Sequence, residues 1–439
     1  MLTREMLAMT YVTRRSMALF LFLSCAGISA QAPPELFKAV TGFGPIDEKT
    51  LSGGIEVSRY RIVQAKTSLF DQSDSSSSEK SKPQPFGDSK AVQVKPTLKV
   101  ITLNLFEDVS VIVDLKDIST SADQKTTTWD GIVRGYPQSS VTLTLSRRIV
   151  FGNVTTGNGK LYEIRPIGQS DSATQAILEV NTKDFPKESS PIPVVGPGIA
   201  EDINPNAPAA MLNVLVVYTQ ASAATLGSFQ AVEAFRSTAE RETNQGYENS
   251  GVLQRIKVVA MLPVQYSETD GYGPALERLA NPHDGYMDEV HQFRAQYHAD
   301  MVVLLIKNSQ SCGLSYLAQP PTPAFASSAF SVVNIACATG YFSFGHELGH
   351  LQGCNHDRAD ADGPGAFPFS YGFQQTTKSP FFRDIMSYDC ATSCPRINYW
   401  SNPQIQFQGI PVGDISAQGS TNNALTLNRT QTIASGWHP

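Results

Sequence analysis

The second half of the chain predicts an α/β fold built on a mixed, mostly parallel sheet. Residues 212–218 and 301–306 are almost continuous apolar runs, typical of strands buried on both faces, and 255–264 is a third candidate strand. Two stretches with helical spacing of apolar residues, 228–248 and 286–299, lie between these runs. Because strands alternate with helices, we expect crossover helices packed on the sheet.

Shorter signals predict the remaining elements of this half. Residues 330–335 are expected to supply an edge strand that lines a cleft, and residues 342–353 a helix. Little regular structure is expected after residue 388 until a short C-terminal helix near 422–436.

The first half, about 35–186, is predicted to be β-rich. Its apolar residues alternate with polar ones, as in strands with one buried face. The alternation is seen at Ile101, Leu103 and Leu105, resumes at Val109, Val111, Val113 and Leu115, and recurs at Val141, Leu143 and Leu145.

Composition predicts the domain boundaries. Residues 72–90 are rich in Ser, Lys and Pro and are expected to form a loop or linker. Residues 187–210 are rich in Pro, Gly, Ala and Asn and are predicted to link a domain at 31–186 to a domain at 211–439.

The N-terminus resembles an export signal. Arg14 and Arg15 precede an uncharged run, 17–30, that is too short to span a bilayer. We therefore expect a signal peptide at 1–30, with cleavage after Ala26 or Ala30, and a secreted protein, extracellular or periplasmic. No later stretch is long and apolar enough to predict a membrane span.

The charge distribution argues against nucleic acid as a partner. The formal net charge is −6, and residues 211–439 hold 12 Lys and Arg against 18 Asp and Glu, whereas residues 1–210 hold 22 of each. All seven histidines also lie in the second half, so metal chemistry is expected there.

The segment HELGHLQGCNHD, 346–357, predicts a catalytic metal site. His346 and His350 are four residues apart, so on a helix both rings reach one ion. Gly353 can adopt positive φ, which lets the chain turn and bring back His356. Three histidines leave a fourth position for water, as in catalytic zinc sites, and Glu347 is free to act as the base for that water.

The motif HExxHxxGxxH, followed by the segment Asp384-Ile385-Met386-Ser387-Tyr388, resembles the metzincin zinc endopeptidases. Asp357 resembles the adamalysin branch, whereas Tyr388 resembles astacins and serralysins. Together with CPRINYWSNP, 394–403, this mixture is most similar to the bacterial peptidyl-Asp metalloendopeptidases. The resemblance covers 211–439 well and the preceding half loosely.

This resemblance implies a metzincin-type catalytic domain, a twisted mixed sheet with an active-site helix and Met-turn, preceded by a β-rich propeptide domain. It implies a secreted zinc endopeptidase made as a zymogen and expected to be monomeric, with protein or peptide substrates. Met386 is expected to form an apolar floor beneath one zinc ion, and Asp357 to hydrogen-bond near the Met-turn without contacting zinc. Tyr388 is expected either to face the zinc or to be a packed tyrosine with a satisfied hydroxyl.

The resemblance also implies cleavage on the N-terminal side of aspartate. That preference requires a cation in the pocket after the scissile bond, and Arg396 is the candidate, with Arg383 as the alternative. Arg396 could instead brace the loop between Cys390 and Cys394. A metzincin with an apolar preference and a catalytically silent zinc-binding module are the alternative functions, although Glu347 and all three histidines are present.

Five cysteines lie between 312 and 394, which in an exported protein indicates disulfides with one thiol left over. Cys390 can pair with Cys394 and Cys312 with Cys337, which leaves Cys354 free and packed as a small hydrophobe. Sequence alone does not fix this pairing.

Latency and further metal sites leave alternatives open. No cysteine lies between Cys25 and Cys312, so the propeptide is expected to inhibit through a carboxylate such as Asp184 or by steric cover, with removal within 187–210. Asp357, Asp360 and Asp362 could bind calcium, but a solvated acidic turn is favoured for the latter two. His291 and His298 are interpreted as surface histidines.

Overall fold

The computed structural model describes residues 32–70, 98–121, 123–156, 158, 160–167, 173–196, 208–391 and 393–439. The predicted signal peptide, the predicted loop at 72–90 and most of 197–210 lie outside the described residues. Residues 33–439 form one compact unit. None of the helices described is both long and apolar enough to cross a membrane.

The N-terminal half is β-rich, as its alternation predicts. Nine strands form one sheet in the order β1-β2-β9-β8-β7-β6-β5-β4-β3, and every neighbouring pair is antiparallel. The alternating side chains Ile101, Leu103 and Leu105 are buried on one face. The elements are β1 (Phe37–Ala39), α1 (Glu48–Leu51), β2 (Arg59–Ala65), β3 (Val100–Phe106), β4 (Val109–Thr120), β5 (Thr126–Val133), β6 (Ser140–Ser146), β7 (Ile149–Thr155), β8 (Lys160–Pro166) and β9 (Thr174–Asn181).

The C-terminal half contains the predicted mixed sheet. Its order is β10-β14-β15-β13-β11-β12, in which only β14 runs antiparallel to its neighbour β15. All three predicted apolar runs form strands. The strands are β10 (Ile192–Val195), β11 (Met211–Tyr218), β12 (Arg255–Pro263), β13 (Met301–Ile306), β14 (Gly313–Gln319) and β15 (Phe330–Asn334).

The prediction of an edge strand at 330–335 was wrong. β15 lies inside the sheet, between β13 and β14, and the edge strand on this side is β10, which pairs with β14. Apolar periodicity predicts β14 poorly because Gly313, Ser315 and Tyr316 interrupt its apolar residues.

The predicted linker also differs in part. Its residues 192–195 form β10, which pairs in parallel with β14. This part of the predicted linker therefore belongs to the C-terminal sheet.

The helices occupy both faces of the C-terminal sheet, and one of them also packs on the N-terminal sheet. α3 contacts β6 through a hydrogen bond between Thr238 and Thr144 (2.8 Å) and β7 through the edge-to-face ring pair Phe235–Phe151. The helices are α2 (Gln220–Leu226), α3 (Phe229–Asn249), α4 (Tyr272–Ala280), α5 (Glu289–Gln296), α6 (Ile335–Ala338), α7 (Ser343–Leu351) and α8 (Asn423–Ala434).

Short strands follow α7, and a hairpin lies after residue 388, where little regular structure was expected before the C-terminal helix. Short strands β16 (Asn355–Asp357) and β17 (Tyr371–Gly372) pair in parallel, and β18 (Gln374–Gln375) pairs with β19 (Phe382–Arg383). A hairpin of β20 (Asn402–Phe407) and β21 (Ile410–Val412) precedes α8. These strands are only two to six residues long, which explains why periodicity did not reveal them.

Candidate metal centre and active site

Three histidine nitrogens converge on one point beside α7. The Nε2 atoms of His346 and His350 are 2.9 Å apart, and His356 Nε2 lies 3.2 Å and 3.1 Å from them. Tetrahedral zinc ligands at about 2.0–2.1 Å from the ion are about 3.3 Å apart, so this spacing is close to that of a metal site.

The tautomers of two of these rings fit a metal ion. His346 Nδ1 lies 2.9 Å from the carbonyl oxygen of Ile385, and His350 Nδ1 lies 2.8 Å from that of Cys354. A carbonyl can only accept, so both Nδ1 atoms carry the proton and both Nε2 atoms carry a lone pair. Such lone pairs repel one another at this distance unless a cation lies between them. The donor set therefore fits zinc.

Burial keeps the three rings neutral. It lowers the pKa of His350 to about 4 and the pKa values of His346 and His356 well below the usual range, and the neighbouring rings add to the latter two shifts. A neutral imidazole is the form that binds a metal.

A glycine turn returns the third histidine to the site. α7 ends at Leu351, and Gly353 has a φ of 91°, a conformation that side chains disfavour. A Cβ on Gly353 would also collide with Ala366. The chain then enters β16, which carries His356.

The Met-turn forms an apolar layer under the histidines. Met386 is fully buried. A Cβ built on Gly349 would lie only 3.2 Å from the Met386 sulfur and 2.6 Å from ring carbons of Trp400. The bare helix surface at Gly349, between His346 and His350, thus admits Met386 and Trp400.

Two aspartates hold the Met-turn. Asp357 Oδ2 accepts from the Tyr388 amide (3.1 Å), and Asp384 Oδ1 accepts from the amide and hydroxyl of Ser387 (2.9 and 2.7 Å). Asp384 Oδ2 accepts from the Ser401 amide, and burial raises the pKa of Asp384 to about 6. Asp357 therefore lies near the Met-turn and outside the histidine cluster.

Glu347 is buried next to the histidines and is anchored by one oxygen. Its Oε2 accepts from Ser315 Oγ on β14 (2.6 Å), and its Oε1 has no hydrogen-bond partner among the described residues. Burial, followed by the charge of Glu188, raises the pKa of Glu347 well above its usual value. A carboxyl with a high proton affinity and one free oxygen suits a proton carrier.

Tyr388 lies beside the third histidine. Its ring centroid is 4.4 Å from that of His356, and its hydroxyl donates to the carbonyl oxygen of Glu188 (2.6 Å). Burial raises the pKa of the phenol, so the hydroxyl stays protonated and remains a donor.

The two candidate arginines occupy different environments. Arg383 donates to the carbonyl oxygens of Ser387 (2.7 Å) and Cys394 (3.3 Å), so its guanidinium braces the chain after the Met-turn. Its acidic neighbour, Asp389, lies 3.6 Å away and is 40% exposed. Arg396 instead donates to the buried Glu188 Oε1 at 3.0 Å and also to the carbonyl oxygen of Tyr341 at 2.9 Å. Arg396 is therefore the arginine of the two that contacts a buried carboxylate.

Glu188 was missed by sequence reasoning, and the suggested Asp184 is a surface residue. Asp184 is exposed, whereas the Glu188 side chain is 1% exposed. An oxygen of Glu188 lies within 4.8 Å of ligand atoms of His346 and Glu347. No local pattern marks Glu188, because it lies in a stretch that composition assigns to a linker.

Among the described residues, no cysteine side chain and none of the remaining candidates belongs to a group that could hold a metal ion. Disulfides join Cys312 to Cys337 and Cys390 to Cys394, and the buried Cys354 is free, with its sulfur against the Asn423 carbonyl oxygen. Of the two remaining histidines, His291 is half-buried and contacts the Leu279 carbonyl oxygen, whereas His298 is exposed beyond the end of α5. Of the two remaining aspartates, Asp360 is half-buried, whereas Asp362 is exposed and accepts from the Ser190 hydroxyl.

Comparison with known proteins identifies the family. Residues 209–401 match Reprolysin_5, described as metallo-peptidase family M12. A protein named peptidyl-Asp metalloendopeptidase from Stenotrophomonas maltophilia (strain R551-3) is 35% identical over 303 residues, 68% of this chain and 70% of the relative. The chain belongs to metallopeptidase family M12. It is therefore a metalloendopeptidase, a hydrolase, and the predicted family is confirmed.

Two further relatives carry the same name. The protein from Xanthomonas campestris pv. campestris is 33% identical over 307 residues, 68% of this chain and 70% of the relative. The protein from Pseudomonas fragi is 31% identical over 194 residues, 44% of this chain and 98% of the relative.

Proposed function

We propose that this M12 metallopeptidase is a secreted zinc endopeptidase, made as a zymogen, that cleaves peptide bonds on the N-terminal side of aspartate. The convergence of three histidine Nε2 atoms within 3.2 Å of one another, beside a buried glutamate, carries the proposal. The domain at 31–186 is the proposed propeptide, and removal within 187–210 produces the proposed mature, monomeric enzyme.

His346, His350 and His356 are the proposed zinc ligands. When bound, zinc would polarise the scissile carbonyl and lower the pKa of a water toward ~7. The protein's part is to hold three neutral rings in one orientation, which the carbonyl oxygens of Ile385 and Cys354 do for two of them.

Glu347 is the proposed general base and acid. Ser315 fixes one of its oxygens, so the other keeps a defined position from which it takes a proton from the attacking water and returns it to the leaving amine.

Tyr388 is the proposed hydrogen-bond donor to the oxyanion. Its hydroxyl already donates to a peptide carbonyl, that of Glu188, next to the histidine cluster. A donor aimed at developing charge typically contributes about 10²–10³ in rate.

Arg396 is the proposed determinant of aspartate preference. Its buried guanidinium holds a carboxylate in the structure, and three relatives are named peptidyl-Asp metalloendopeptidase. Arginine suits this role because it remains charged when buried and matches carboxylate geometry.

The test compares matched peptides that carry Asp, Asn or Leu after the scissile bond. For the mature enzyme we expect kcat/KM about 10² higher for Asp than for Asn, since a desolvated charge pair is lost with Asn. Arg396→Lys should retain part of this ratio and Arg396→Ala should abolish it. Equal rates on all three peptides in the wild type would refute the aspartate preference, and an unchanged ratio in Arg396→Ala would refute only the role of Arg396.

A further inference from the structure

The carboxylate that pairs with Arg396 comes from the chain itself. Glu188 Oε1 lies 3.0 Å from Arg396 Nη1 and accepts from Ser343 Oγ at 2.7 Å. The two charged side chains are 1% and 4% exposed. Among the described residues this is the ion pair that neutralises Arg396, and a buried charge that loses its partner is strongly destabilised. Without Glu188, the Arg396 pocket would therefore favour an acid from another peptide.

The backbone around Glu188 lies along the active-site edge of the sheet. The Lys187 carbonyl oxygen accepts from the Cys312 amide (3.1 Å), and the Ser189 amide donates to the Gly313 carbonyl oxygen (3.0 Å). The following strand, β10, continues along β14 in parallel register from Ile192 opposite Tyr316. A peptide that pairs with this edge of β14 must displace these residues.

The Glu188 residue also occupies the reacting centre. Its carbonyl oxygen takes the hydrogen bond of Tyr388, the proposed oxyanion donor. Its second carboxylate oxygen, Oε2, is buried without a hydrogen-bond partner in the described residues, and one of its two oxygens lies within 4.8 Å of ligand atoms of His346 and Glu347. One residue thus fills the acid-binding position and contacts the donor required for catalysis.

We propose that Glu188 is an internal pseudosubstrate, whose carboxylate fills the Arg396 pocket and keeps the enzyme latent while the segment from Lys187 to Gly196 lies on β14. This inference rests on the proposed function, because it assigns acid recognition to Arg396. Glu188 differs from the proposed substrate residue, because glutamate is one methylene longer than aspartate. The main chain after Glu188 also continues past the site into β10, which pairs with β14.

The test uses the uncleaved full-length chain and a fluorogenic peptide with Asp after the scissile bond. Initial rates are measured while mass spectrometry shows the precursor intact. Glu188→Gln keeps the shape and removes the charge, so we expect the precursor rate to rise by about tenfold or more, as expected for loss of a buried charge pair. Asp184→Asn, four residues away and exposed, is the matched control and should leave the precursor latent.

The outcomes separate this inference from the proposed function. If the Glu188→Gln precursor stays as latent as the wild type while the mature enzyme prefers Asp, the inference is wrong and the proposed function stands. If the mature enzyme lacks the Asp preference, both fall. If Glu188→Gln does not fold by circular dichroism, a synthetic peptide of residues 187–196 added to the mature enzyme decides. It should inhibit about tenfold better or more with Glu at position 188 than with Gln, and equal inhibition by the two peptides would overturn the inference.

Discussion

The carboxylate of Glu347 fills the space that a side chain on Gly313 would need. A Cβ built on Gly313 would collide with Glu347 Oε1, Cδ and Cγ. Gly313 begins β14, and Ser315, two residues later on the same strand, holds the other oxygen of Glu347. β14 therefore positions the proposed base through one hydrogen bond and one missing side chain.

We expect Gly313→Ala to displace the Glu347 carboxylate and to lower kcat by about 10²–10⁴, the range that general acid–base catalysis supplies. Zinc content should stay at one ion per chain, because the histidines do not depend on this contact. Gly273→Ala is the matched control, since a Cβ there would meet nothing within 4 Å. Wild-type kcat in Gly313→Ala would show that the carboxylate tolerates displacement.

Glu347 and His350 should separate catalysis from metal binding. Glu347→Ala is expected to retain zinc and lose about 10²–10⁴ in kcat, because Glu347 adjoins a ligand without being one. His350→Ala should lose the metal. Atomic absorption and a peptide assay on both variants check this, and substantial activity in Glu347→Ala would contradict the mechanism.

Removal of the metal should lower stability in the wild type. The three Nε2 atoms face one another within 3.2 Å, so an ion that binds the folded state alone stabilises it, by about 2.7 kcal/mol at one hundred times Kd. We expect a lower thermal midpoint after chelation, recovered on adding zinc. In His350→Ala the midpoint should be insensitive to the chelator, and an equal shift there would place the stabilising ion elsewhere.

The histidine site could be predicted from the sequence because its determinants are local. His346, His350, Gly353 and His356 lie within eleven consecutive residues, and helix geometry plus one glycine turn fixes their arrangement. The apolar runs were equally clear, since β11 and β13 are buried on both faces.

Contacts between residues far apart in the chain could not be predicted from the sequence. Glu188 and Arg396 are 208 positions apart, and only the folded chain brings them together. β10 pairs with β14 through its backbone, and its four residues, IPVV, show no alternation of apolar and polar residues that would reveal a strand. The sequence likewise gives no sign that Arg396, and not Arg383, contacts a buried carboxylate.

A buried glutamate joins α3 to the N-terminal sheet and should make stability depend on pH. Glu242 on α3 accepts from Asn153 Nδ2 on β7 and from the Gly340 amide, both at 2.7 Å. Burial raises the pKa of Glu242 to about 7.

Two buried ion pairs flank Glu242 at the same interface. Arg165 pairs with Glu163 at 2.8 Å on the neighbouring β8. On α3 itself, Arg241 pairs with the buried Asp130 of β5. Burial raises the pKa of Asp130 to about 6 and also raises the pKa of Glu163.

The sign of the pH dependence follows from the unfolded value of the Glu242 pKa. Below about pH 4.5 Glu242 is protonated in both states, and its contribution to stability is fully present. As pH rises toward 7 the unfolded chain ionises first, so this contribution is lost, by about 3 kcal/mol for a shift of this size. Asp130 and Glu163 act in the same direction, because burial raises their pKa values as well.

The effect of Glu242 is measured as a difference between chains, because other buried groups also titrate. The three buried histidines act in the opposite direction, since burial lowers their pKa values, and they are the same in every chain compared. In the full-length Glu347→Gln chain, chosen to prevent self-cleavage, adding Glu242→Gln should remove a downward contribution to the slope of thermal midpoint against pH between pH 5 and pH 7, because the amide does not ionise. The variant also loses one of the two hydrogen bonds and so lowers the midpoint at every pH.

Glu248→Gln on the same helix, whose side chain is 34% exposed, is the control and should keep the slope. Scanning calorimetry at four pH values measures all three chains, and an unchanged slope in Glu242→Gln would show that Glu242 does not contribute to it.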